Sequence, residues 1–303
     1  MDNQFRFDTV SEYNALNNHE TLHPLVNVID FYQANPRSWN GQKKIRINYG
    51  IYCIFLKEVK CGDLRYGCNY YDYQEGTLVF VSPGQVMNLE LDGKPYQPKG
   101  YALVFHPDMI EGTGLAKSIL EYGFWGYQMN EALHLSEQER QIVLDLFAKI
   151  KLELRQNVDK HSKKLIVSNI ELFMNYCERF YDRQFITRDN VNRGILEKFE
   201  EQLNGYYSDH KAQEIGLPSV AYIANQLHLS ANYFGDLIKK ETGKSAKEYI
   251  QDKIIVLAKN KVSDNVLTVS EIAYELGFKY PQHFTRLFKK QVGCTPNEYR
   301  NLA

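Results

Sequence analysis

Apolar positions follow two different rhythms along this chain. From about residue 23 to 110 they come in short runs of branched and aromatic side chains, each bounded by turn residues. These are IRINYGIYCIFL at 45–56, LRYGCNYYDY at 64–73, GTLVFVSPG at 76–84 and YALVFH at 101–106. Each run reads as a strand, and short strands at near-regular spacing predict an all-β sandwich or barrel. His106-Pro107 closes the last of them. From residue 136 the period becomes helical. Ser136 and Glu139 have capping-box spacing, and Ile142, Leu146, Ile150 and Leu154 then hold one face, widened by Val143 and Phe147. A second helix is predicted over 162–181, with Ile166, Ile170, Phe173, Cys177 and Phe180 on one face and Leu165, Leu172, Met174 and Tyr176 elsewhere around it. Being apolar on more than one side, it needs partners on more than one side. The strand domain is one partner; a second copy of the chain, or complete burial within the same chain, supplies the other. The polar run 183–194 reads as a linker.

Beyond residue 218 a single pattern occurs twice. Val220, Ile223, Ala224 and Leu227 return 49 positions later as Val269, Ile272, Ala273 and Leu276. After the turn the offset is 50: Phe234, Leu237, Lys239, Lys240, Gly243 and Tyr249 return as Phe284, Leu287, Lys289, Lys290, Gly293 and Tyr299. A fixed-period repeat is one supersecondary unit used twice. Here the unit is helix, short turn, helix. Ala224 and Ala273 leave room for a second helix to cross closely. Ser230 is placed to cap the second helix of the first copy, Pro281 opens its counterpart, and Gly243 stands where a left-handed residue ends a helix. Phe234, Leu237 and Ile238, and in the other copy Phe284, Leu287 and Phe288, form the buried stripes. The positions left outside are polar: Asn232, Gly235, Asp236, Lys239 and Lys240 in the first copy, then Gln282, His283, Thr285, Arg286, Lys289 and Lys290 in the second. Amide and guanidinium groups suit base edges in a major groove, and lysines suit phosphates. A plain solvated face explains one Lys-Lys pair, but less readily two in register.

With these residues in place, the block from about Ile195 to Arg300 resembles the DNA-binding domain of the AraC/XylS family of bacterial transcription regulators. The resemblance is carried by IA-x2-L-x-L-S-x2-YF-x2-LIKK-x2-G-x-S and, more specifically, by IA-x3-GF-x5-F-x-R-x-FKK-x2-G-x-TP-x-EYR. It implies two helix-turn-helix units, about 219–242 and 268–292, bridged by a helix over about 246–262. Their second helices would enter successive major grooves of double-stranded DNA. The base-reading positions implied are Asn232, Gly235 and Asp236 in the first unit and Gln282, His283 and Arg286 in the second. Glycine has no side chain to read with, so the second unit is expected to discriminate more. The strand region, best at Glu75 to Gln85, resembles the cupin-like jelly-roll sensor domain of the same family. The chain is thus expected to divide into a cupin-like barrel at 1–115, a helical dimerisation segment at 116–184 and a DNA-binding domain at 185–303. The resemblance favours a homodimer using the 166–180 stripe, a small-molecule effector, activation of transcription and contact with RNA polymerase. Tyr49, Tyr52, Arg65, Tyr70 and Tyr73 are the candidate effector-binding residues, the alternative being ordinary sheet packing.

Composition adds limits. Net charge is −1, yet from Lys239 onward 12 Lys and Arg face 7 Asp and Glu, a local surplus that suits DNA. The five cysteines form no C-x-x-C pair and, with no leader-like start, predict a reduced cytosol. Cys61 and Cys68 are readable as a redox pair across a hairpin or, more simply, as free thiols. No apolar stretch is long enough to span a membrane. No histidine pair at ligand spacing lies between His23 and His106, and no nucleophile–base arrangement is visible. No metal, cofactor or catalytic residue is therefore expected, and an enzyme on the cupin scaffold is disfavoured.

Overall fold

The computed structural model describes residues 3–34, 44–58, 76–90, 98–128, 131–187, 189–264 and 266–302. The chain divides into two compact units, Met1–Thr187 and Arg188–Ala303.

The first unit has eight described strands in two sheets. In one, β1 (Asn3–Phe7) runs parallel to β3 (Lys44–Tyr49), which pairs antiparallel with β6 (Val86–Glu90). The other is antiparallel, in the order β2 (Val26–Asp30), β7 (Gly100–Phe105), β4 (Tyr52–Lys57), β5 (Thr77–Val81), β8 (Leu133–His134). Alternate residues of both sheets, among them Ile45, Ile47, Cys53, Phe55, Val79 and Val104, share one core. The described strands form two sheets and no closed barrel.

The run 45–56 is two strands in different sheets. Gly50 turns the chain between them, donating its N–H to the carbonyl of Phe7 at 2.8 Å. A side chain there would lie 2.5 Å from an Asp8 carboxylate oxygen and 3.0 Å from the Asp8 Cα. Between β1 and β2 lies α1 (Val10–Leu16), begun by a Thr9–Glu12 capping box. A short α2 (Gly114–Ser118) follows β7.

The outer face of the five-stranded sheet is covered by α3 (Glu137–Leu154) and α4 (Ser162–Thr187). The Ser136–Glu139 capping box forms as the spacing predicts. The 166–180 stripe, expected at a dimer seam or buried within one chain, is covered inside its own unit. Ile166, Ile170, Phe173, Cys177 and Phe180 are all buried within their own unit, Phe173 packing against Phe80 of β5 and Phe147 of α3. An amphipathic stripe shows that a face is covered, not by which molecule, and here the sheet covers it. Leu165 and Leu172, on another side of α4, are exposed.

The second unit is helical. The boundary between the units falls within the predicted linker 183–194, whose described residues are helical: 183–187 complete α4 and 189–194 begin α5 (Asp189–Ser208). After α5 come α6 (Lys211–Ile215), α7 (Val220–Gln226), α8 (Ala231–Thr242), α9 (Ala246–Ser263), α10 (Val269–Glu275), α11 (Pro281–Val292) and α12 (Pro296–Leu302). Phe199 of α5 is fully buried, edge-on to Phe234 of α8 at 5.0 Å and 5.2 Å from Tyr249 of α9.

Candidate nucleic-acid interface

The repeated sequence folds into two helix-turn-helix units, α7–α8 and α10–α11, with matching lengths. Ser219 caps α7 and Ser230 caps α8, each hydroxyl accepting a backbone N–H at 3.1 Å. Thr268 and Glu271 form a capping box at α10. Tyr280 precedes α11 without a side-chain cap, and Pro281 starts that helix where a missing N–H costs little. Gly243 and Gly293 end α8 and α11 in the left-handed conformation, at φ 72° and 92°. The stripes are buried as the spacing requires: Phe234, Leu237 and Ile238 fully, Phe284 and Phe288 fully, and Leu287 in part.

That burial leaves the opposite faces outward. Asn232, Lys239 and Lys240 of α8 are exposed, and Gly235 and Asp236 half-buried. On α11, Gln282, His283, Arg286, Lys289 and Lys290 are exposed. Thr285 is half-buried and its hydroxyl donates to the carbonyl of Pro281 at 3.2 Å, so it is already engaged within its helix. Among the described residues no ion pair holds the Arg286 guanidinium, leaving its donors available for a bidentate contact. Two residues that sequence reasoning passed over lie beside this face. Tyr280 is exposed, 5.5 Å from the His283 ring, and the Lys279 ammonium sits 5.7 Å from the Tyr280 ring. A Lys-Tyr pair immediately before a helix-opening proline was the available signal.

The frame behind these helices is pinned by polar contacts. Arg300 of α12 donates to the carbonyls of Val262 at 3.1 Å and Leu267 at 2.7 Å, fixing the connection from α9 to α10. Lys261 and Glu275 pair at 2.6 Å. Tyr249 donates to Glu200 of α5, and burial together with that bond pushes its hydroxyl up to about 12.

The candidate effector residues do not converge in the described part of the first unit. Tyr49 lies in the core between the sheets, its ring 6.1 Å from Tyr13 and 6.3 Å from Phe55. Tyr52 lies on the opposite face of the five-stranded sheet, stacked on Phe105 at 4.8 Å and 4.9 Å from Trp125. Arg65, Tyr70 and Tyr73, like Cys61 and Cys68, lie outside the described residues. His106 accepts the Asp108 N–H at 3.2 Å and so caps the turn after β7. Among the described residues, no group of three or more His, Cys, Asp or Glu is placed to hold a metal ion. No described helix is long and apolar enough to cross a membrane.

Residues 223–302 match a family model described as a helix-turn-helix domain. The HTH-type transcriptional regulator YtdP of Bacillus subtilis is 40% identical over 112 residues, which are 37% of this chain and 13% of that protein. The HTH-type transcriptional activator RhaS of Escherichia coli is 28% identical over 108 residues, 35% of this chain and 38% of that protein. The C-terminal domain of the two-component response regulator yesN from Fusobacterium nucleatum is 26% identical, with a TM-score of 0.32, over 35% of this chain and 98% of that structure. The chain therefore spans less than half the length of either regulator named here.

Proposed function

We propose that this chain, whose residues 223–302 are a helix-turn-helix domain of the AraC type, is a sequence-specific transcription regulator that grips duplex DNA with α8 and α11. One observation carries the reading: the same unit is present twice, and in both copies the buried stripe turns a face with polar groups and a terminal Lys pair to solvent. Lys239, Lys240, Lys289 and Lys290 suit phosphates. Gln282, His283 and Arg286, with Asn232, Gly235 and Asp236 more weakly, are the base-reading positions. The reading includes activation of transcription, which the name of RhaS supports, contact with RNA polymerase, a homodimer and a cytoplasmic location. It assigns no catalytic role.

In this proposal the first unit, as a cupin-like sensor, binds a small molecule and shifts the population of DNA-competent arrangements, to the extent that its affinities for them differ. A second reading keeps the DNA module and gives the first unit to dimerisation or a protein partner. It is favoured by the packing of Tyr13, Tyr49 and Phe55 into the space between the sheets. Thermal-shift measurement of the full chain against a metabolite panel separates the two: stabilisation by one compound supports sensing, and uniform silence supports the partner role. DNA reading is tested by incubating the full chain with a random-sequence duplex pool at low ionic strength. Enrichment of a two-block sequence is expected. Retention no better than background overturns the proposal.

A further inference from the structure

Of the differences between the two helix-turn-helix turns, one bears on how the two halves of the domain meet. Position 228 of the first copy corresponds to 277 of the second, and both are left-handed, at φ 57° for His228 and 90° for Gly277. His228 is exposed and carries its side chain at 57°, whereas a side chain at the 90° of Gly277 is strained by the backbone alone. Gly277 meets a different neighbour. A Cβ added there would lie 2.7 Å from the Gly216 carbonyl carbon, 2.8 Å from its oxygen and 3.0 Å from the Ala212 oxygen, all backbone atoms. Ordinary contact begins near 3.4 Å, so the two backbones would have to part by several tenths of an ångström.

Gly216 belongs to the first half of the domain and is held there. It ends α6 with its N–H on the Ala212 carbonyl at 3.0 Å, and its own carbonyl accepts from the Tyr206 hydroxyl of α5 at 2.8 Å. α5 in turn packs Phe199 against Phe234 of α8. A continuous path thus runs from the turn before α11, through Gly216 and Tyr206, to α8. A second link between the halves is α9, which packs on α8 and on α10, α11 and α12. A single connecting helix leaves rotation about its ends; a second contact away from its axis removes that freedom.

We infer that Gly277 is a positioning residue that sets operator spacing: its bare Cα seats the second helix-turn-helix on Gly216 and so fixes where α11 reads relative to α8. This deepens the DNA-binding proposal and rests on it. The test uses full chains and the two-block duplex selected by the unaltered protein, remade with one or two base pairs added to or removed from the spacer. The unaltered chain should lose about tenfold or more in affinity for each one-base-pair change, the scale of one spoiled base contact. Gly277→Ala should still prefer the same two blocks, with its spacing optimum moved or flattened. Tyr206→Phe, which removes the donor on Gly216 without adding an atom, should flatten it less, and His228→Gly should leave it sharp. Should Gly277→Ala not fold, the spacing profile of Tyr206→Phe decides the matter. An unchanged spacing profile in folded Gly277→Ala, or in Tyr206→Phe where Gly277→Ala does not fold, overturns the inference. If the unaltered chain selects no two-block sequence, the DNA reading falls first and the inference with it.

Discussion

Replacing Arg286 by alanine separates base reading from general attraction to DNA. Arg286 is exposed on α11 between the buried Phe284 and Phe288, and no described ion pair holds it. Its removal should therefore change folding stability by no more than about 0.5 kcal/mol, as for surface positions without such partners. A bidentate guanidinium contact to a base is worth about 1–3 kcal/mol of discrimination, or roughly 5- to 150-fold in Kd. That loss should fall on one base pair of the selected duplex, where the variant becomes indifferent. Lys289, exposed one turn later, should behave differently. Lys289→Ala should weaken all sequences alike and lower the slope of log K against log salt by about 0.9, the loss of one phosphate neutralisation. Fluorescence anisotropy at four salt concentrations, on the selected duplex and its single-base variants, measures both. An Arg286→Ala protein with unchanged melting and unchanged base preference would refute α11 as the reading helix.

Phe199→Ala should destabilise the second unit by about 3–5 kcal/mol, because it empties a fully buried site facing Phe234 and Tyr249; denaturant titration followed by DNA retention measures it. Glu248, Glu271 and Glu298 have their carboxyls held below the ordinary 4.5 by hydrogen bonds, Glu248 chiefly from the Ser245 side chain and Glu271 and Glu298 chiefly from the backbone N–H groups of Thr268 and Thr295. A carboxyl depressed by folding adds stability above its unfolded value and loses it as pH falls through the folded one. Melting of the second unit should thus weaken below pH 4.5, and less steeply in Glu271→Ala, as circular dichroism against pH will show. Cys53 and Cys177 are fully buried and burial pushes both thiols up, whereas Cys294 is half-buried. Alkylation of native protein, mapped by mass spectrometry, should mark Cys294 well before the other two.

The helix-turn-helix pair was plain in the sequence because its information is local and duplicated: stripes at helical spacing, Ser230 ahead of α8, and glycine after each Lys pair. The Ser136–Glu139 box was readable for the same reason. What sequence reasoning missed depends on distant contacts. Nothing in the apolar run 45–56 says that its two halves enter different sheets; the turn between them lies at Gly50, packed against Asp8 from 42 residues earlier. The polar run 183–194 marks the boundary between the units, but its composition does not reveal that its described residues are helical, because exposed helix ends share it. The 166–180 stripe announced a covered face, but its cover is a sheet made from earlier sequence. Tyr49 and Tyr52 seemed neighbours in an aromatic run, yet the turn between them sends their rings to opposite faces. β1 and α1 were not foreseen, although Thr9 and Glu12 have the spacing of a helix start.

If α8 and α11 hold one duplex together, side by side, hydroxyl-radical footprinting of the full chain on its selected duplex will show it. Two protected patches are expected on one face, about one helical turn apart, with the patch at the second block weakened in Arg286→Ala. A single patch, or two patches on opposite faces of the duplex, would mean that the two helices do not read the DNA together.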